Sequence, residues 1–267
     1  CYKSQSRSRF CRLKEGEKMK LTLIGYGFVG KAVFNVLNEH YDVKIVDPQY
    51  NMNTITDDSD GYIICVPTPS EESGACDMSI VNTVLKACPK DKPVLIKSTI
   101  CLEGWQVCKA IHNDITFSPE FLTAANANED FKNQKTMLFG GGNTDFWYDI
   151  FILAKGFTPV YATVEELIMA KYLRNSFLAT KVAFFNEVHH FCMMNDISYE
   201  KLSELVGMDE RITHSHMKVP GPDGEKGFGG ACFPKDTKAL LYTGLFYKAP
   251  FSILSEAVST NERIRNA

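Results

Sequence analysis

Short apolar runs alternate with helical patterns through the first part of the chain. Segments such as 29–39, 78–87 and 103–112 fit helices that separate these runs. Alternation of strand and helix predicts a parallel sheet with helices on both faces. The predicted strands cover residues 20–24, 43–47, 61–66, 93–97, 115–117 and 136–139.

A purely helical pattern begins after residue 162. Residues 163–195 contain neither Gly nor Pro, and they open on Thr163 and Glu166 at the spacing of a capping box. The predicted fold class is α/β: an N-terminal Rossmann-like parallel sheet followed by an all-helical domain with a long central helix. Further helices are expected at 196–212, 235–246 and 251–265, with a Gly- and Pro-rich loop at 213–232.

The length of 267 residues suits two domains. We assign residues 19–162 to the α/β domain and residues 163–267 to the helical domain. Residues 1–18 carry six basic and two acidic side chains without periodicity, as in a disordered basic tail. Because Met19 directly precedes the first strand, we expect this tail to be upstream sequence read in frame. A basic arm or a targeting peptide is the alternative.

Composition narrows the class of protein. Hydrophobic residues at 45% and charged residues at 23% are typical of a folded domain, and a net charge of -3 argues against a general nucleic-acid binder. No apolar run reaches the roughly 18–20 residues of a membrane helix. The nine cysteines include no Cys-x-x-Cys pair. We therefore predict a reducing, cytoplasmic setting with neither a disulfide framework nor a metal site.

A glycine-rich turn at residues 25–30 directly follows the first predicted strand and opens the first helix. Its pattern is G-x-G-x-x-G, the dinucleotide-binding fingerprint in its required context. The first glycine permits the tight turn, the second lets the backbone approach a pyrophosphate, and the third lets helix and strand pack closely. Unpaired N–H groups at the helix start would face the phosphates. The predicted cofactor contacts here are Gly25, Gly27, Phe28, Val29 and Gly30.

An acidic residue, Asp47, ends the second predicted strand. Its carboxylate can accept hydrogen bonds from the adenosine ribose and would repel a 2′-phosphate, so NAD is predicted rather than NADP. Thr68 and Thr99 follow two later strands, at the edge where ligands bind in open α/β sheets, and are predicted to contact the cofactor. The alternative is a generic glycine turn with a surface Asp and ordinary loop threonines.

Residues 227–236 are the most informative segment of the second domain. Three glycines precede Cys232, and Pro234 suits the first turn of a new helix. A thiol at a helix N-terminus, close to Lys235, is expected to ionise readily to the nucleophilic thiolate. Asp236 lies four residues on and would share the same helical face. A buried structural cysteine is the alternative.

This segment resembles the active-site signature of the nucleotide-sugar dehydrogenases of the UDP-glucose/GDP-mannose family, which UDP-glucose 6-dehydrogenase typifies. Further matches occur in the family's order across about residues 19–265, nearly the whole chain. They are the glycine turn, Lys97-Ser98-Thr99, Ser118-Pro119-Glu120-Phe121-Leu122, Lys171-Tyr172-Leu173-Arg174-Asn175 and the loop 219–224, which looks most like the UDP-glucose branch.

The resemblance implies oxidation of the C6 alcohol of a nucleotide sugar to a uronate, with two NAD per substrate. Cys232 would add to the intermediate aldehyde as a thiohemiacetal, and the thioester formed next would be hydrolysed. Glu120 would act as the base for the hydrolytic water. Lys171 and Asn175 would stabilise the developing oxyanion.

The resemblance also implies binding residues and an oligomer. Asp236 and Thr99 would position a catalytic water, and Lys235 would contact the cofactor. Arg211 matches an arginine that reaches into the neighbouring subunit's site in relatives, so a homodimer through the long helix is expected. The implied sugar-nucleotide contacts are Glu120, Phe121, Leu122, Lys171, Asn175, Arg211, Gly221, Phe228 and Gly229.

This chain departs from the family pattern in three places. Relatives carry a second acid where this chain has Ala124, and a base after the ribose-binding acid where residues 48–53 have none, so weaker NAD binding is expected. Relatives also continue into a third, UDP-binding domain, which this chain is expected to lack. The open alternatives are a different sugar nucleotide (GDP-mannose or a UDP-N-acetylhexosamine), a hydroxy-acid dehydrogenase with one hydride transfer, and a non-catalytic nucleotide-binding remnant.

Overall fold

The computed structural model describes residues 18–52 and 54–266, which form two compact units. The first unit comprises the described residues up to Thr68 together with Asp77–Lys171. The second comprises Pro69–Cys76 and the residues from Tyr172 onward. The tail predicted at 1–18 lies outside the described residues except for Lys18.

The first unit is built on a seven-stranded sheet. Its strands are β1 (Lys20–Ile24), β2 (Asp42–Val46), β3 (Gly61–Ile64), β4 (Val94–Ile96), β5 (Ile115–Phe117), β6 (Thr136–Gly141) and β7 (Thr158–Tyr161). The order across the sheet is β2-β1-β3-β4-β5-β6-β7. The chain therefore moves from β1 to one side and returns past β1 to β3. The carboxyl ends of β1 and β3 flank this topological switch, which is where ligands bind in open α/β sheets.

Helices of this unit connect the strands, and both faces of the sheet are apolar. Every residue of β3, β4 and β5 is buried, as expected for strands covered on both faces. Phe131 and Trp147 are fully buried in the core cluster. The parallel α/β fold predicted from the sequence is confirmed for β1 to β5. The helices are α1 (Phe28–Leu37), α2 (Ser79–Ala87), α3 (Leu102–Ile111), α4 (Ala127–Asn133) and α5 (Thr144–Ala154).

The far edge of the sheet differs from the prediction. β6 runs antiparallel to β5, and β7 then pairs parallel to β6. The connection before β6 contains α4, whose buried Ala127 and Phe131 pack into the core cluster that also holds Leu37 of α1. After α4 the chain enters β6 at the same end of the sheet at which it left β5, so the two strands run in opposite directions. Strand patterns carry no information on direction, so the sequence could not predict the reversal.

The second unit is helical. Its helices are α6 (Val164–Met194), which begins in the first unit, α7 (Tyr199–Gly207), α8 (Phe233–Phe246) and α9 (Ser252–Arg265). The 31 residues of α6 span about 46 Å, which confirms the predicted long helix. The predicted capping box is also confirmed: Thr163 N–H donates to Glu166 Oε2 at 2.8 Å, and Glu166 N–H donates to Thr163 Oγ1 at 3.2 Å.

The segment Pro69–Cys76 belongs to this helical unit, although β3 and α2 of the first unit flank it in sequence. A Cβ added at Gly74, which has φ +87°, would lie 3.3 Å from the carbonyl oxygen of Lys238 in α8. The segment therefore packs closely on the backbone of α8.

Candidate functional site

The glycine turn at residues 25–30 lies at the topological switch. Gly25 has φ +93°, and a Cβ there would meet the carbonyl oxygen of Cys65 at 2.6 Å. A Cβ at Gly30 would overlap the carbonyl oxygen of Gly25. By contrast, a Cβ at Gly27 would meet nothing within 4 Å, so this side of the turn is open. Gly27 caps α1 without a side-chain hydrogen bond, which leaves the N–H groups of the first turn available to an anion.

The carboxylate of Asp47 is tied to this turn. Its Oδ2 accepts a hydrogen bond from Tyr26 N–H at 2.6 Å, and its Oδ1 accepts one from Gln49 N–H at 2.8 Å. Each carboxylate oxygen keeps a further lone pair for a ligand hydroxyl. An open glycine, a helix start without a side-chain cap and an adjacent carboxylate fit the pyrophosphate and ribose of a dinucleotide.

The other predicted cofactor contacts of the first unit lie near the carboxyl ends of the strands. Phe28 is 37% exposed at the start of α1, while Val29 packs against the core. Thr68 is buried after β3, and Thr99 is half-buried after β4. Cys65 directly follows β3, and burial raises the pKa of its thiol to about 12.

Two predicted residues of the first unit, Phe121 and Lys171, contact Glu120, which is buried after β5. Glu120 Oε2 lies 2.8 Å from Lys97 Nζ, and its Oε1 accepts a hydrogen bond from Phe121 N–H at 3.2 Å. Lys171 Nζ donates to the main-chain oxygen of Glu120 and lies 5.7 Å from the centre of the Phe121 ring. Leu122 packs against the core.

A second group of predicted residues surrounds Cys232 within the helical unit. Cys232 is the N-cap of α8, and its carbonyl oxygen accepts a hydrogen bond from Asp236 N–H at 2.8 Å. The Asp236 carboxylate is 1% exposed. Its Oδ2 accepts a hydrogen bond from Asn175 Nδ2 at 2.6 Å, and its Oδ1 lies 2.5 Å from Lys235 Nζ. The turn after Cys232 is therefore joined directly to α6.

Two buried asparagines that the sequence did not single out hold the glycine loop before Cys232. Asn186 Oδ1 accepts a hydrogen bond from Gly227 N–H at 2.9 Å. Asn261 binds both backbone groups of Phe228: it accepts from the N–H at 2.6 Å and donates to the oxygen at 3.0 Å. An amide inside a helix carries no local signal of such a role. An unexplained polar residue on a buried helix face would have been the only clue.

The remaining predicted substrate residues, Gly221, Gly229 and Arg211, lie outside the hydrogen-bonded group formed by Cys232, Asp236 and Asn175. A Cβ at Gly229 would lie 2.7 Å from the guanidinium of Arg265, which forms an ion pair with Asp223. Gly221 N–H donates to the carbonyl oxygen of Glu225 at 2.7 Å. Arg211 is 88% exposed and pairs with Asp209 of the same chain.

The sheet, its glycine turn and the attached helical unit define a dinucleotide-binding α/β protein. Two models of one family match most of the chain: the NAD binding domain of the UDP-glucose/GDP-mannose dehydrogenase family over residues 48–149, and its central domain over residues 165–263. The chain belongs to this family, which confirms the resemblance and the NAD cofactor. The glycine turn itself lies before the matched range.

Several relatives bear the same name. The chain is 31% identical to UDP-glucose 6-dehydrogenase TuaD of Bacillus subtilis (strain 168), over 78% of this chain and 47% of that protein. It is 33% identical to the UDP-glucose 6-dehydrogenase of Rickettsia typhi, over 76% of this chain and 49% of that protein. The chain thus spans about half the length of the curated relatives it matches.

Solved structures show the same fold. The structure of a UDP-glucose dehydrogenase from Pyrobaculum islandicum superposes with a TM-score of 0.79 at 23% identity, over 94% of this chain and 70% of that one. Among the described residues, none of the helices combines the length and apolar character needed to cross a membrane. The same residues contain no cluster of three or more His, Cys, Asp or Glu that could hold a metal ion.

Proposed function

We propose that this protein oxidises the C6 hydroxymethyl group of a nucleotide sugar, with UDP-glucose as the first candidate, to the uronate. The observation that carries the proposal is the arrangement at the start of α8, where Cys232 precedes a buried Asp236 held by Asn175. In this proposal the first unit binds NAD and the second carries the thiol. When bound, NAD accepts a hydride in each of the two oxidations.

The residues of the chain supply the remaining chemistry. The Cys232 thiol adds across the C6 carbonyl of the aldehyde to give a thiohemiacetal. Loss of a hydride from C6 and of the proton from its hydroxyl group then converts this to a thioester. Lys171 and Asn175 stabilise negative charge on the C6 oxygen, because an ammonium and an amide N–H donate to an oxyanion. Glu120 then takes a proton from the water that attacks the thioester, the C–S bond breaks, and the uronate leaves.

Binding roles complete the proposal. Asp236 and Thr99 position the catalytic water, and Lys235 contacts the cofactor. Phe121, Leu122, Gly221, Phe228 and Gly229 line the sugar nucleotide together with Glu120, Lys171 and Asn175. The buried amides of Asn186 and Asn261 support this role for the loop, because they fix its backbone before any ligand arrives.

We further propose a homodimer built on α6, with Arg211 serving the neighbouring copy. One stripe of α6 exposes large apolar side chains at intervals of four and seven residues, which places them on one face of the helix. They are Leu173, Phe177, Phe184 and Phe191, with exposed fractions of 46%, 69%, 57% and 57%. An apolar stripe of this size marks an interaction surface.

The activity is tested by mixing the protein with NAD and UDP-glucose and following NADH absorbance together with uronate. Two NADH per uronate are expected. Cys232→Ser should abolish uronate formation, whereas Cys101→Ser, a matched change at the N-cap of α3, should leave it unchanged. GDP-mannose and a UDP-N-acetylhexosamine in parallel identify the nucleotide sugar. If calorimetry detects NAD binding but none of the three nucleotide sugars yields NADH, the proposed activity is wrong and a non-catalytic nucleotide-binding role is favoured.

A further inference from the structure

A fully buried lysine lies beside the proposed base. Lys97 directly follows β4, and its side chain is 0% exposed. Burial of an ammonium group is unfavourable unless it is paired and hydrogen-bonded. The sequence singled out the segment Lys97-Ser98-Thr99 for its threonine and gave Lys97 no role.

The contacts of Lys97 connect two neighbouring strand ends. Its Nζ lies 2.8 Å from Glu120 Oε2, and it donates to the main-chain oxygen and the hydroxyl of Ser118 at 3.4 and 3.3 Å. Ser118 and Glu120 both follow β5. The ammonium also lies 5.6 and 5.8 Å from the ring centres of Phe131 and Phe151. One cation therefore sets the position of the carboxylate relative to the sheet.

A second lysine contacts the same ring. Lys155 Nζ lies 4.6 Å from the centre of the Phe131 ring and donates to the main-chain oxygen of Phe131. Burial lowers the pKa of Lys155 to about 8, with the negative charge of Glu120 opposing and the positive charge of Lys97 adding to this shift. Lys97 is thus the direct partner of Glu120, and Lys155 contributes through its charge.

The two oxygens of Glu120 are therefore unequal. Among the described residues Oε2 makes no hydrogen bond, and it is positioned by its ion pair with the buried ammonium at 2.8 Å. Oε1 accepts the Phe121 N–H at 3.2 Å, near the long end of the hydrogen-bond range. We propose that Lys97 is a positioning residue that fixes Oε2 and so presents Oε1 as the oxygen that takes the proton from the hydrolytic water. This inference rests on the proposed role of Glu120 in thioester hydrolysis.

Hydrolysis of the thioester on Cys232 requires water and a base but no cofactor. The water oxygen bonds to the thioester carbonyl carbon, its proton passes to Glu120 Oε1, the C–S bond breaks, and its electron pair leaves on sulfur. It can therefore be followed on an acetyl thioester made on Cys232 with p-nitrophenyl acetate, in the absence of NAD and sugar nucleotide. Intact-protein mass spectrometry gives the rate at which the acetyl group is lost.

We expect Glu120→Gln to slow this loss about 100-fold and Lys97→Met to slow it roughly tenfold, because a base that is not held in place loses part of its advantage. Lys97→Arg, which keeps the charge, should restore part of the rate. The double variant should be no slower than Glu120→Gln alone. Ser118→Ala is the milder second probe, should Lys97→Met fail to fold, and a slower loss is again expected.

Deacylation of Lys97→Met at the wild-type rate would overturn the inference, and so would deacylation of Ser118→Ala at the wild-type rate if Lys97→Met does not fold. A further loss of rate when Lys97→Met is added to Glu120→Gln would also overturn it. Additive effects would mean that Lys97 acts on the rate independently of Glu120. Failure of the proposed function has a different signature, because the wild-type protein would then lose the acetyl group rapidly but form no NADH from any nucleotide sugar.

Discussion

At the scale of single residues, the free space around each glycine of the turn at residues 25–30 determines whether a larger side chain is tolerated there. A Cβ at Gly30 would overlap the carbonyl oxygen of Gly25, whereas a Cβ at Gly27 would enter open space. We expect Gly30→Ala to lower the free energy of unfolding by about 2 kcal/mol, as overpacking does. Gly27→Ala should cost less than about 1 kcal/mol in stability but should weaken NAD binding, because the methyl group occupies the open side.

Urea unfolding and NAD titration calorimetry separate the two effects. Each glycine variant is the control for the other, since the same substitution is made at two positions three residues apart in the turn. If Gly27→Ala binds NAD as tightly as the wild-type protein does, the pyrophosphate of NAD does not lie against Gly27.

The pH dependence of stability at Lys155 follows from its burial. The pKa of this side chain is lowered from 10.5 to about 8 in the folded protein. Between these values the unfolded chain binds more protons than the folded one, so the Lys155 contribution to stability increases as pH rises. We therefore expect the unfolding free energy of the wild-type protein, minus that of Lys155→Met, to increase from pH 7.5 to pH 10.

Denaturant unfolding at a series of pH values provides the measurement. The exposed Lys132→Met is the matched control and should show no such trend. A difference that stays flat or falls with pH would contradict the burial argument.

The sequence named the groups of the candidate site but not the residues that hold them. Cys232, Asp236 and Asn175 were predicted because they match a distinctive motif, and the structure places Asn175 against Asp236. The buried partners Lys97 and Asn261 were missed. Their importance comes from neighbours distant in sequence, and no local pattern records such contacts.

At the scale of secondary-structure elements, the start of α6 depends on its capping box. Thr163 satisfies the N–H of Glu166, which would otherwise lack a partner within the helix. Thr163→Ala should lower the free energy of unfolding by about 1 kcal/mol. Thr163→Ser keeps the hydroxyl and should stay close to the wild-type value. Urea midpoints of the three proteins provide the comparison, and equal midpoints for the alanine and serine variants would show that the cap contributes nothing.

Elements with strong apolar patterns were predicted well, and those without them were not. β1 matches its predicted bounds, and α6 differs by a single residue at each end. β7 was missed because it is a short edge strand with exposed side chains and no apolar alternation. α7 is shorter than predicted, since turns replace helix after Gly207.

At the scale of the whole molecule, the apolar stripe on α6 predicts self-association. Wild-type protein should have the mass of a dimer in light scattering. The double variant Phe177→Lys with Phe184→Lys should have the mass of a monomer, because two buried charges would oppose association. Leu153→Lys changes a similarly exposed apolar residue of α5 and should remain dimeric. A monomeric wild-type protein would exclude the dimer.

The short segment Pro69–Cys76 constrains how this protein can be made and divided. It emerges from the ribosome long before α8, on which it packs, so the helical unit cannot be completed until Lys238 has been synthesised. A gene fragment that begins at Tyr172 would encode the helices without this segment. A fragment that ends at Lys171 would carry the segment without its partner. A single crossover between Lys171 and Tyr172 would therefore separate this segment from the helices of its own unit.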